Sequence, residues 1–305
     1  MMSRSLPLAT GGIIPPMPTP LTPDGAIDVG ALGRLADHLV SGGVDGAFIA
    51  GTSGMGPLLT ERQYGRLAES ALTSFDGRLP VLAGVIETST ARALERIRLL
   101  ESLGYRQFVL TSTFYLPPAN AEQLLSHFGI CAEATDMQMV VYDIPVCTGV
   151  SIAVETIAEM ARRGWTRMVK DSSGDAEHFA ELCRVGNEQG LAILQGLLPD
   201  MAGLIKMGAA GCVPVTANVR PDLFAAAWGA AQQGDAATTA ALQAKIDGMW
   251  HTLVAPGDFL SGSLYVLARA GLLQEVLPDP LRPAEAGRRA AIDAAFDAAG
   301  GFTID

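Results

Sequence analysis

The sequence predicts an α/β fold, a closed (β/α)8 TIM barrel with a C-terminal helical appendage. Two observations support this prediction. Short apolar segments rich in β-branched residues alternate eight times with amphipathic helical segments by residue 233. The chain has 305 residues, and eight such units in a chain of this size favour a closed parallel barrel over an open doubly wound sheet. We therefore predict a barrel over residues 1–233 and a helical extension over residues 234–305.

The first four strand-helix units follow a short N-terminal tail. Their predicted strands are GGII, GVDGAFIAG, PVLAGV and RQFVLTS. The first helix has Leu32, Leu35, Ala36 and Leu39 on one face, which is the spacing of a helix that packs on a sheet. Residues suited to helix N-termini precede the first three helices, namely Asp28, Thr60 with Gln63, and Thr88 or Ser89. The fourth helix is predicted from about Ala121 to Thr135.

The last four units continue the alternation. Their predicted strands are QMVVYDIP, TRMVKDSSG, LAILQG and GCVPVTAN. Helical spacing follows each of them, including a helix from Asp175 to about Asn187 and one that Pro221 opens at its first turn. Beyond Asp235 the chain is alanine-rich and helical, with predicted breaks at Pro256-Gly257 and around Pro278 to Pro283.

The amino-acid composition and net charge argue against several classes of protein. The chain is 49% hydrophobic and 17% charged, so it can bury a large core. Its net charge is −11 and it contains no basic run, which argues against nucleic acid and anionic membranes as partners. The four cysteines lack metal-ligand spacing, so we expect neither a metal site nor a disulfide framework. The amino terminus lacks a signal-peptide apolar core and no segment is long enough to span a bilayer, so we expect a cytoplasmic protein.

Two successive predicted strands each end in a side chain that can take part in chemical catalysis. Tyr142 and Lys170 are separated by one strand-helix-strand crossover, so they should lie side by side at the carboxyl ends of neighbouring parallel strands. Burial of a lysine favours a neutral amine, which can attack a carbonyl carbon and form a Schiff base. The alternative is structural: Lys170 pairs with Asp171, and Tyr142 is a core residue with a solvated hydroxyl.

A loop rich in glycine and hydroxyl groups follows the second predicted strand. The segment GTSGMG joins this strand to a helix, and successive backbone N–H groups in such a loop can hold a carboxylate. Together with YDIP and VKDSSG, this GTSG loop makes the chain resemble the dihydrodipicolinate synthase/N-acetylneuraminate lyase family over about residues 10 to 300. The resemblance implies a (β/α)8 enzyme that binds a 2-oxo acid, usually pyruvate, as a Schiff base. It also implies that no cofactor is needed and that the chain forms a homo-oligomer, a dimer or a tetramer.

The resemblance implies roles for individual residues. Lys170 matches the Schiff-base lysine, and Tyr142 matches the acid/base that moves protons at the carbonyl oxygen and the aldol hydroxyl. Thr52 is expected to donate a hydrogen bond to Tyr142. The backbone amides of Thr52 and Ser53 are expected to bind the carboxylate of the 2-oxo acid. Tyr115 matches a tyrosine that many members extend into the neighbouring subunit's site.

Other matched positions concern the walls of the site. Gly196 and Val213 correspond to positions that line the floor near the lysine. The family's synthases carry an arginine at the position of Cys147, and a thiol cannot replace a bidentate carboxylate clamp. Leu197 and Leu198 occupy the region where the neuraminate lyases place acidic residues. With Met55 in place of the family's glutamate, these departures predict an apolar pocket lined by Met55, Cys147, Leu197 and Leu198.

Four functions follow as hypotheses. The first is a class I aldolase or lyase that cleaves or forms a 2-oxo-4-hydroxy acid, such as a 2-keto-3-deoxy sugar acid or 4-hydroxy-2-oxoglutarate, with pyruvate as product or donor. The second is a dehydratase or hydratase-aldolase on the same imine scaffold. The third is 4-hydroxy-tetrahydrodipicolinate (dihydrodipicolinate) synthase. The fourth is a keto-acid binding protein without catalysis.

Overall fold

A computed structural model describes residues 7–255 and 258–298. Eight parallel strands form one curled sheet with the order β1-β8-β7-β6-β5-β4-β3-β2. The strands are β1 (Gly12–Ile13), β2 (Ala47–Ile49), β3 (Val81–Val85), β4 (Gln107–Thr111), β5 (Gln138–Asp143), β6 (Thr166–Asp171), β7 (Ala192–Gln195) and β8 (Gly211–Cys212). The predicted (β/α)8 barrel is therefore confirmed.

The two ends of the strand order meet just beyond β1. Pro16 forms a parallel bridge with Phe48 of β2. The Phe48 amide donates to the Pro15 carbonyl at 3.0 Å, and the Met17 amide donates to the Phe48 carbonyl at 2.8 Å. Proline can continue a strand there because its carbonyl still accepts although it lacks an N–H. These contacts join β1 to β2 and close the barrel.

Helices follow the strands and cover the outside of the barrel. In the described residues they are α1 (Val29–Ser41), α2 (Glu61–Phe75), α3 (Thr90–Leu103), α4 (Ala121–Glu133), α5 (Pro145–Thr148), α6 (Val154–Arg162), α7 (Ala176–Gln189), α8 (Met201–Met207), α9 (Pro221–Gln232), α10 (Ala236–Leu253), α11 (Ser261–Arg269) and α12 (Ala286–Ala298). Short 3-10 turns occur at Gly56–Leu58 and Val215–Asn218. The helix starts agree with the predicted caps, since the side chains of Asp28, Thr60 and Ser89 each accept a backbone N–H.

Two apolar cores lie on opposite faces of the sheet. The larger one fills the space between the strands and the helices. The smaller one fills the barrel itself, where residues of alternating position on each strand point inward, including Ile14, Phe48, Leu82, Val140 and Leu194. At the amino-terminal end of the strands, Ala9 and Gln107 exchange two hydrogen bonds of 2.7 and 2.9 Å. The barrel is therefore packed from its base upward, and it opens only at the carboxyl ends of its strands.

The C-terminal extension packs beside the last helices of the barrel. Helix α10 contacts α8 and α9, and α11 and α12 contact α10. The break predicted at Pro256-Gly257 lies outside the described residues, whereas the predicted break around Pro278 falls in a non-helical segment between α11 and α12. None of the described helices combines the length and hydropathy required to cross a bilayer.

Candidate active site

Tyr142 and Lys170 lie side by side at the mouth of the barrel. They are direct partners in the register of β5 and β6, and both side chains are buried, with exposures of 2% and 4%. The Lys170 Nζ atom lies 4.0 Å from the centre of the Tyr142 ring and 5.1 Å from the centre of the Phe48 ring. The structure therefore places the two residues in the arrangement expected from the crossover that separates them.

The Lys170 amine sits in apolar surroundings. Within the described residues, no carboxylate lies within 4.0 Å of Nζ, because Asp171 points to the opposite face of the strand and approaches His178 instead. Below the amine is an enclosed space of about one water molecule, lined by Lys170 and by the barrel residues Ile14, Phe48, Leu82, Val109, Val140, Leu194 and Val213. A dry, unpaired amine next to a phenol can act as a nucleophile, which a lysine in an ion pair cannot do.

Gly196 and Val213 are in the positions expected for the floor near the lysine. Val213 is buried and lines the space below Nζ. At Gly196, an added Cβ atom would lie 2.8 Å from Lys170 Cε and 2.0 Å from Ser172 Oγ. The Gly196 amide donates to the Asp171 carbonyl at 2.7 Å, so the backbone is held in place and has little room to retreat. An added side chain would therefore collide with Ser172, with Lys170 and with the Asp171 carbonyl oxygen, which favours glycine at this position.

Replacing Gly196 with alanine is expected to displace the Lys170 side chain. We expect the rate of imine formation with a 2-oxo acid to fall by about 10- to 100-fold, because small misplacements of a nucleophile are costly. Overpacking should also lower the free energy of unfolding by about 1–3 kcal/mol. Reductive trapping rates and urea unfolding measure the two effects. The matched control is Gly229→Ala on α9, where an added Cβ meets nothing within 4 Å; equal behaviour of the two variants would contradict this reading.

The loop from Ala50 to Gly56 is wound tightly next to the barrel mouth. Ala50 and Met55 adopt left-handed backbone angles, with φ of 50° and 56°. An added Cβ at Gly56 would lie 1.9 Å from the Ala50 carbonyl oxygen, so only glycine fits. In the part of the chain that the structure describes, the amides of Thr52 and Ser53 donate no hydrogen bond. These two free N–H groups can receive a carboxylate.

A buried arginine holds the far end of this loop. Arg96 of α3 donates to the Gly56 carbonyl at 3.3 Å and pairs with the buried carboxylate of Glu87 at 2.8 Å. Its guanidinium also stacks on the Tyr64 ring, 4.2 Å from the ring centre. A second tether comes from the Thr19 hydroxyl, which donates to the Gly54 carbonyl. Because these two contacts hold the C-terminal half of the loop, its free amides are organised before a ligand binds.

Among the described residues no hydrogen bond joins Thr52 to Tyr142, so the contact expected between them stays a prediction. The Thr52 carbonyl accepts the Met55 amide at 3.0 Å within the loop. The Tyr142 ring packs edge-on against Phe48, with 6.2 Å between ring centres. Such hydrogen bonds often form only when substrate draws both groups together.

The predicted apolar pocket is corrected. Met55 is buried in the outer core, away from the barrel interior. Leu197 and Leu198 line a groove on the outer side of the β7–α8 loop, together with Phe179, Leu204 and Trp250. Cys147 is exposed on α5, and partial burial of its thiol raises its pKa while the charge of Lys170 opposes this shift. The residues predicted to form one pocket therefore lie in three places, because the left-handed turn at Met55 directs its side chain inward to the core.

Tyr115 projects away from the subunit. Its exposure is 87% and that of Leu116 is 81%, and its φ of 72° is unusual for a tyrosine. The side chain is therefore not part of the cluster that contains Tyr142 and Lys170. A strained, exposed aromatic residue next to an exposed leucine is typical of a surface that another molecule covers.

A second cluster lies on the opposite face of the strands that carry Tyr142 and Lys170, and the sequence analysis did not predict it. Asp143, Asp171 and His178 bring one ligand atom each to within 4.8 Å of one another. The sequence signal was an acidic residue immediately after both Tyr142 and Lys170. Histidine and carboxylates are ligands for divalent cations, so these three residues are the group that could hold a metal.

Comparisons with known proteins agree with this geometry. Residues 9–299 match the model of the dihydrodipicolinate synthetase family. The chain is 31% identical over 292 residues to 4-hydroxy-tetrahydrodipicolinate synthase of Gluconacetobacter diazotrophicus, covering 95% of this chain and 97% of that protein. It is 30% identical over 288 residues to a DapA-like lyase of Halobacterium salinarum, covering 94% and 93%. The structure of dihydrodipicolinate synthase from Bacteroides thetaiotaomicron matches with a TM-score of 0.88 at 27% identity, covering 94% and 98%.

Proposed function

Since this chain belongs to the dihydrodipicolinate synthetase family and is a lyase of the class I aldolase type, we propose that Lys170 binds a 2-oxo acid as a Schiff base. The observation that carries the proposal is the buried Lys170 amine, which is free of any ion pair in the described chain and lies 4.0 Å from the centre of the Tyr142 ring. No resident cofactor is required, because the imine itself supplies the electron sink.

The first chemical step joins Lys170 to the substrate. The Lys170 amine attacks the C2 carbonyl carbon, a C–N bond forms, and the carbonyl oxygen becomes a hydroxyl. That hydroxyl leaves as water once it is protonated, which gives an iminium ion. We assign this proton to the Tyr142 hydroxyl; the contact of its ring with the Lys170 amine supports the assignment.

The second step breaks the bond between C3 and C4. A base, which we assign to the Tyr142 phenolate, removes the proton of the C4 hydroxyl. The electron pair of the C3–C4 bond flows into the iminium, so an aldehyde leaves and a neutral enamine remains. Protonation at C3 and hydrolysis of the imine then release pyruvate and restore the amine. The same steps in reverse form the carbon–carbon bond.

The GTSG loop is proposed to hold the substrate carboxylate. The N–H groups of Thr52 and Ser53 are unpaired in the described structure, and an anion there would satisfy both. A carboxylate at this point would fix the C2 carbon relative to Lys170 and would lie close to the iminium charge. The Thr52 hydroxyl would then reach the Tyr142 hydroxyl as a proton relay when substrate is present.

The aldehyde portion of the substrate is proposed to be a short hydroxy aldehyde or 2-oxo acid fragment without a bidentate clamp. Cys147 stands where the family's synthases have an arginine, and its thiol cannot bind a carboxylate in two-point fashion. The substrate class that fits is a 2-oxo-4-hydroxy acid, such as a 2-keto-3-deoxy sugar acid or 4-hydroxy-2-oxoglutarate. Val213 and Gly196 leave little room beyond the pyruvyl portion on the floor side.

A second candidate is 4-hydroxy-tetrahydrodipicolinate synthase. The observation that favours it is the name of the relative from Gluconacetobacter diazotrophicus, which aligns over 95% of this chain. A dehydratase on the same imine is the third, in which the enamine expels a hydroxyl group rather than an aldehyde. All three begin with the same bond to Lys170, so they differ only in what the second half of the site accepts.

The exposed Tyr115 and Leu116 lead us to propose a homo-oligomer, at least a dimer. Both side chains are more than four-fifths exposed in a single subunit, and a second copy would cover them. Tyr115 would then extend the proton relay of the neighbouring site. Substitution of Leu116 by glutamate should weaken the association, as measured by sedimentation.

Reductive trapping and a product assay test the proposed function. Borohydride with pyruvate should add one pyruvate-derived group to the protein. Peptide mass spectrometry should place it on Lys170 and not on the exposed Lys206 or Lys245, the chain's other lysines. Release of pyruvate from 2-oxo-4-hydroxy acids, coupled to a dehydrogenase, then identifies an aldolase.

The outcomes separate the candidates. Release of pyruvate with an aldehyde supports the first function, whereas loss of water without pyruvate supports the dehydratase. Consumption of pyruvate only with the synthase's carboxylate-bearing aldehyde supports the synthase. An absence of any adduct under borohydride, with pyruvate still bound, would replace catalysis with the keto-acid binding function.

A further inference from the structure

The residues after Tyr142 and Lys170 face the opposite side of the sheet. Successive side chains of a strand point to opposite faces, so Asp143 and Asp171 point out of the barrel toward the helices. They are direct partners in the register of β5 and β6. Both are 1% exposed. Two carboxylates are therefore buried next to each other, one residue away from the proposed catalytic pair.

Each carboxylate anchors the loop that follows its strand. Asp143 accepts the Ile152 amide at 3.2 Å and the Ser151 hydroxyl at 3.5 Å. Asp171 accepts the Ser173 amide at 3.2 Å and the Ser173 hydroxyl at 3.0 Å. These neutral donors satisfy part of each carboxylate, but they do not balance two negative charges in a buried site.

His178 lies between the two carboxylates. It occupies the first turn of α7, where the Asp175 side chain caps its backbone N–H. Its Nε2 atom is 3.7 Å from Asp143 Oδ2 and 3.9 Å from Asp171 Oδ1. Both Nε2 and Asp143 Oδ1 are buried and have no hydrogen-bond partner within the described structure. The unpaired nitrogen is thus directed into the gap between the two acids.

The charge in this cluster depends on a shared proton. Burial raises the pKa of Asp143 to about 7, and the neighbouring Asp171 contributes to the rise. Burial also raises the pKa of Asp171, opposed by the Ser173 hydrogen bonds and by His178, while Asp175 adds to it. The remaining titratable group that faces Asp171 is the Cys183 thiol, whose pKa is raised to about 11. Near neutral pH, a proton on Asp143 therefore relieves part of the repulsion.

We propose that His178 is a positioning residue, which bridges Asp143 and Asp171 and so holds together the strand ends that carry Tyr142 and Lys170. The expected effect on turnover rests on the proposed function. The expected effect on the spacing of the two strand ends does not. Without the bridge, repulsion between the two carboxylates separates the ends of β5 and β6. Because Tyr142 and Lys170 are the preceding residues, their spacing changes with that separation.

Single and double substitutions at His178 and Asp143 test this proposal. His178→Gln keeps a side-chain donor but removes the imidazole from between the two acids, and Asp143→Asn removes one of the two carboxylates. We expect His178→Gln to lower kcat by about 10- to 100-fold with KM within about twofold, as for a misplaced catalytic group. The double variant should recover most of the loss, because an amide facing a single carboxylate needs no proton. His251→Gln, at an exposed histidine of α10, is the matched control and should equal the unaltered protein.

The pH dependence of unfolding supplies a readout that packing alone would not change. A carboxyl group whose pKa is higher in the folded chain binds more protons when folded, so its contribution to stability falls as pH rises from about 4 to 7. In His178→Gln this fall should be steeper, and the unfolding temperature should drop below that of the unaltered protein above about pH 7. In the double variant the dependence should be weaker, because Asp171 is then the one carboxylate of the pair that still titrates.

The results separate this proposal from the proposed function. If the unaltered protein forms no pyruvate adduct, the proposed function fails. The unfolding measurements alone then test whether His178 holds the two strand ends together. A His178→Gln variant that behaves like His251→Gln would overturn the proposal. So would a loss that Asp143→Asn does not rescue. An increase in unfolding temperature with added Zn²⁺ that His178→Gln abolishes would also overturn it, because the cluster would then be a cation site.

Discussion

Lys170→Ala is expected to abolish both the borohydride-trapped adduct with pyruvate and turnover, with a loss of at least about 10⁴-fold in kcat. The reason is chemical, because alanine offers no atom that can form the covalent imine. The fold should persist, since removal of the amine leaves an apolar wall of barrel residues around the space. Intact-protein mass spectrometry and the coupled pyruvate assay measure the two losses.

The other two lysines provide matched controls for this experiment. Lys206 and Lys245 are exposed on α8 and α10, and their replacement by alanine should leave trapping and turnover unchanged. Circular dichroism and the urea midpoint of Lys170→Ala show whether the variant is folded. Turnover that survives in a folded Lys170→Ala variant would remove the imine from the mechanism.

Tyr142→Phe should slow turnover by about 10²- to 10⁴-fold while imine trapping persists at a reduced rate. The substitution keeps the ring that packs against Phe48 and Lys170 and removes only the hydroxyl that gives and takes protons. The two steps should therefore separate, because attack by the amine requires Lys170 whereas proton transfer requires the phenol. Stopped reductive trapping and steady-state kcat measure them independently.

Tyr105→Phe is the matched control for the loss of a tyrosine hydroxyl. The Tyr105 hydroxyl donates to the Ala68 carbonyl at 2.9 Å in the outer core. Its removal should cost about 1 kcal/mol of stability, because a buried carbonyl loses its donor, but kcat should stay within about twofold. A comparable loss of kcat in both variants would assign the effect of Tyr142→Phe to stability.

The departures in this chain bear on specificity. Where an arginine would fix a second carboxylate, Cys147 presents an exposed thiol. Its raised pKa keeps the thiol protonated near neutral pH, so it is not a ready nucleophile. Because a thiol cannot form a two-point carboxylate clamp, we expect no such clamp at Cys147.

Much of the fold was predictable because its signals are local. Each strand is a short apolar run and each helix has an apolar stripe, so the alternation predicts the barrel. The pairing of Tyr142 with Lys170 follows from a single parallel crossover. By contrast, Met55 lies in a loop and Cys147 lies on the four-residue helix α5, where the direction of a side chain depends on individual backbone angles. The left-handed turn at Met55 cannot be predicted from a residue type that rarely adopts it.

By itself, the sequence determined the eight-unit barrel, the position of Tyr142 and Lys170 at its mouth, and the glycine-rich loop beside them. It did so because strand period, helix period and crossover direction are properties of contiguous segments. Only the tertiary structure decided which side chains share the rest of the site. It buried Met55 in the outer core, set Lys170 Cε against Gly196, and brought His178 between Asp143 and Asp171. Contacts between distant segments depend on how helices and strands pack in three dimensions. The spacing of residues along the chain does not predict that packing.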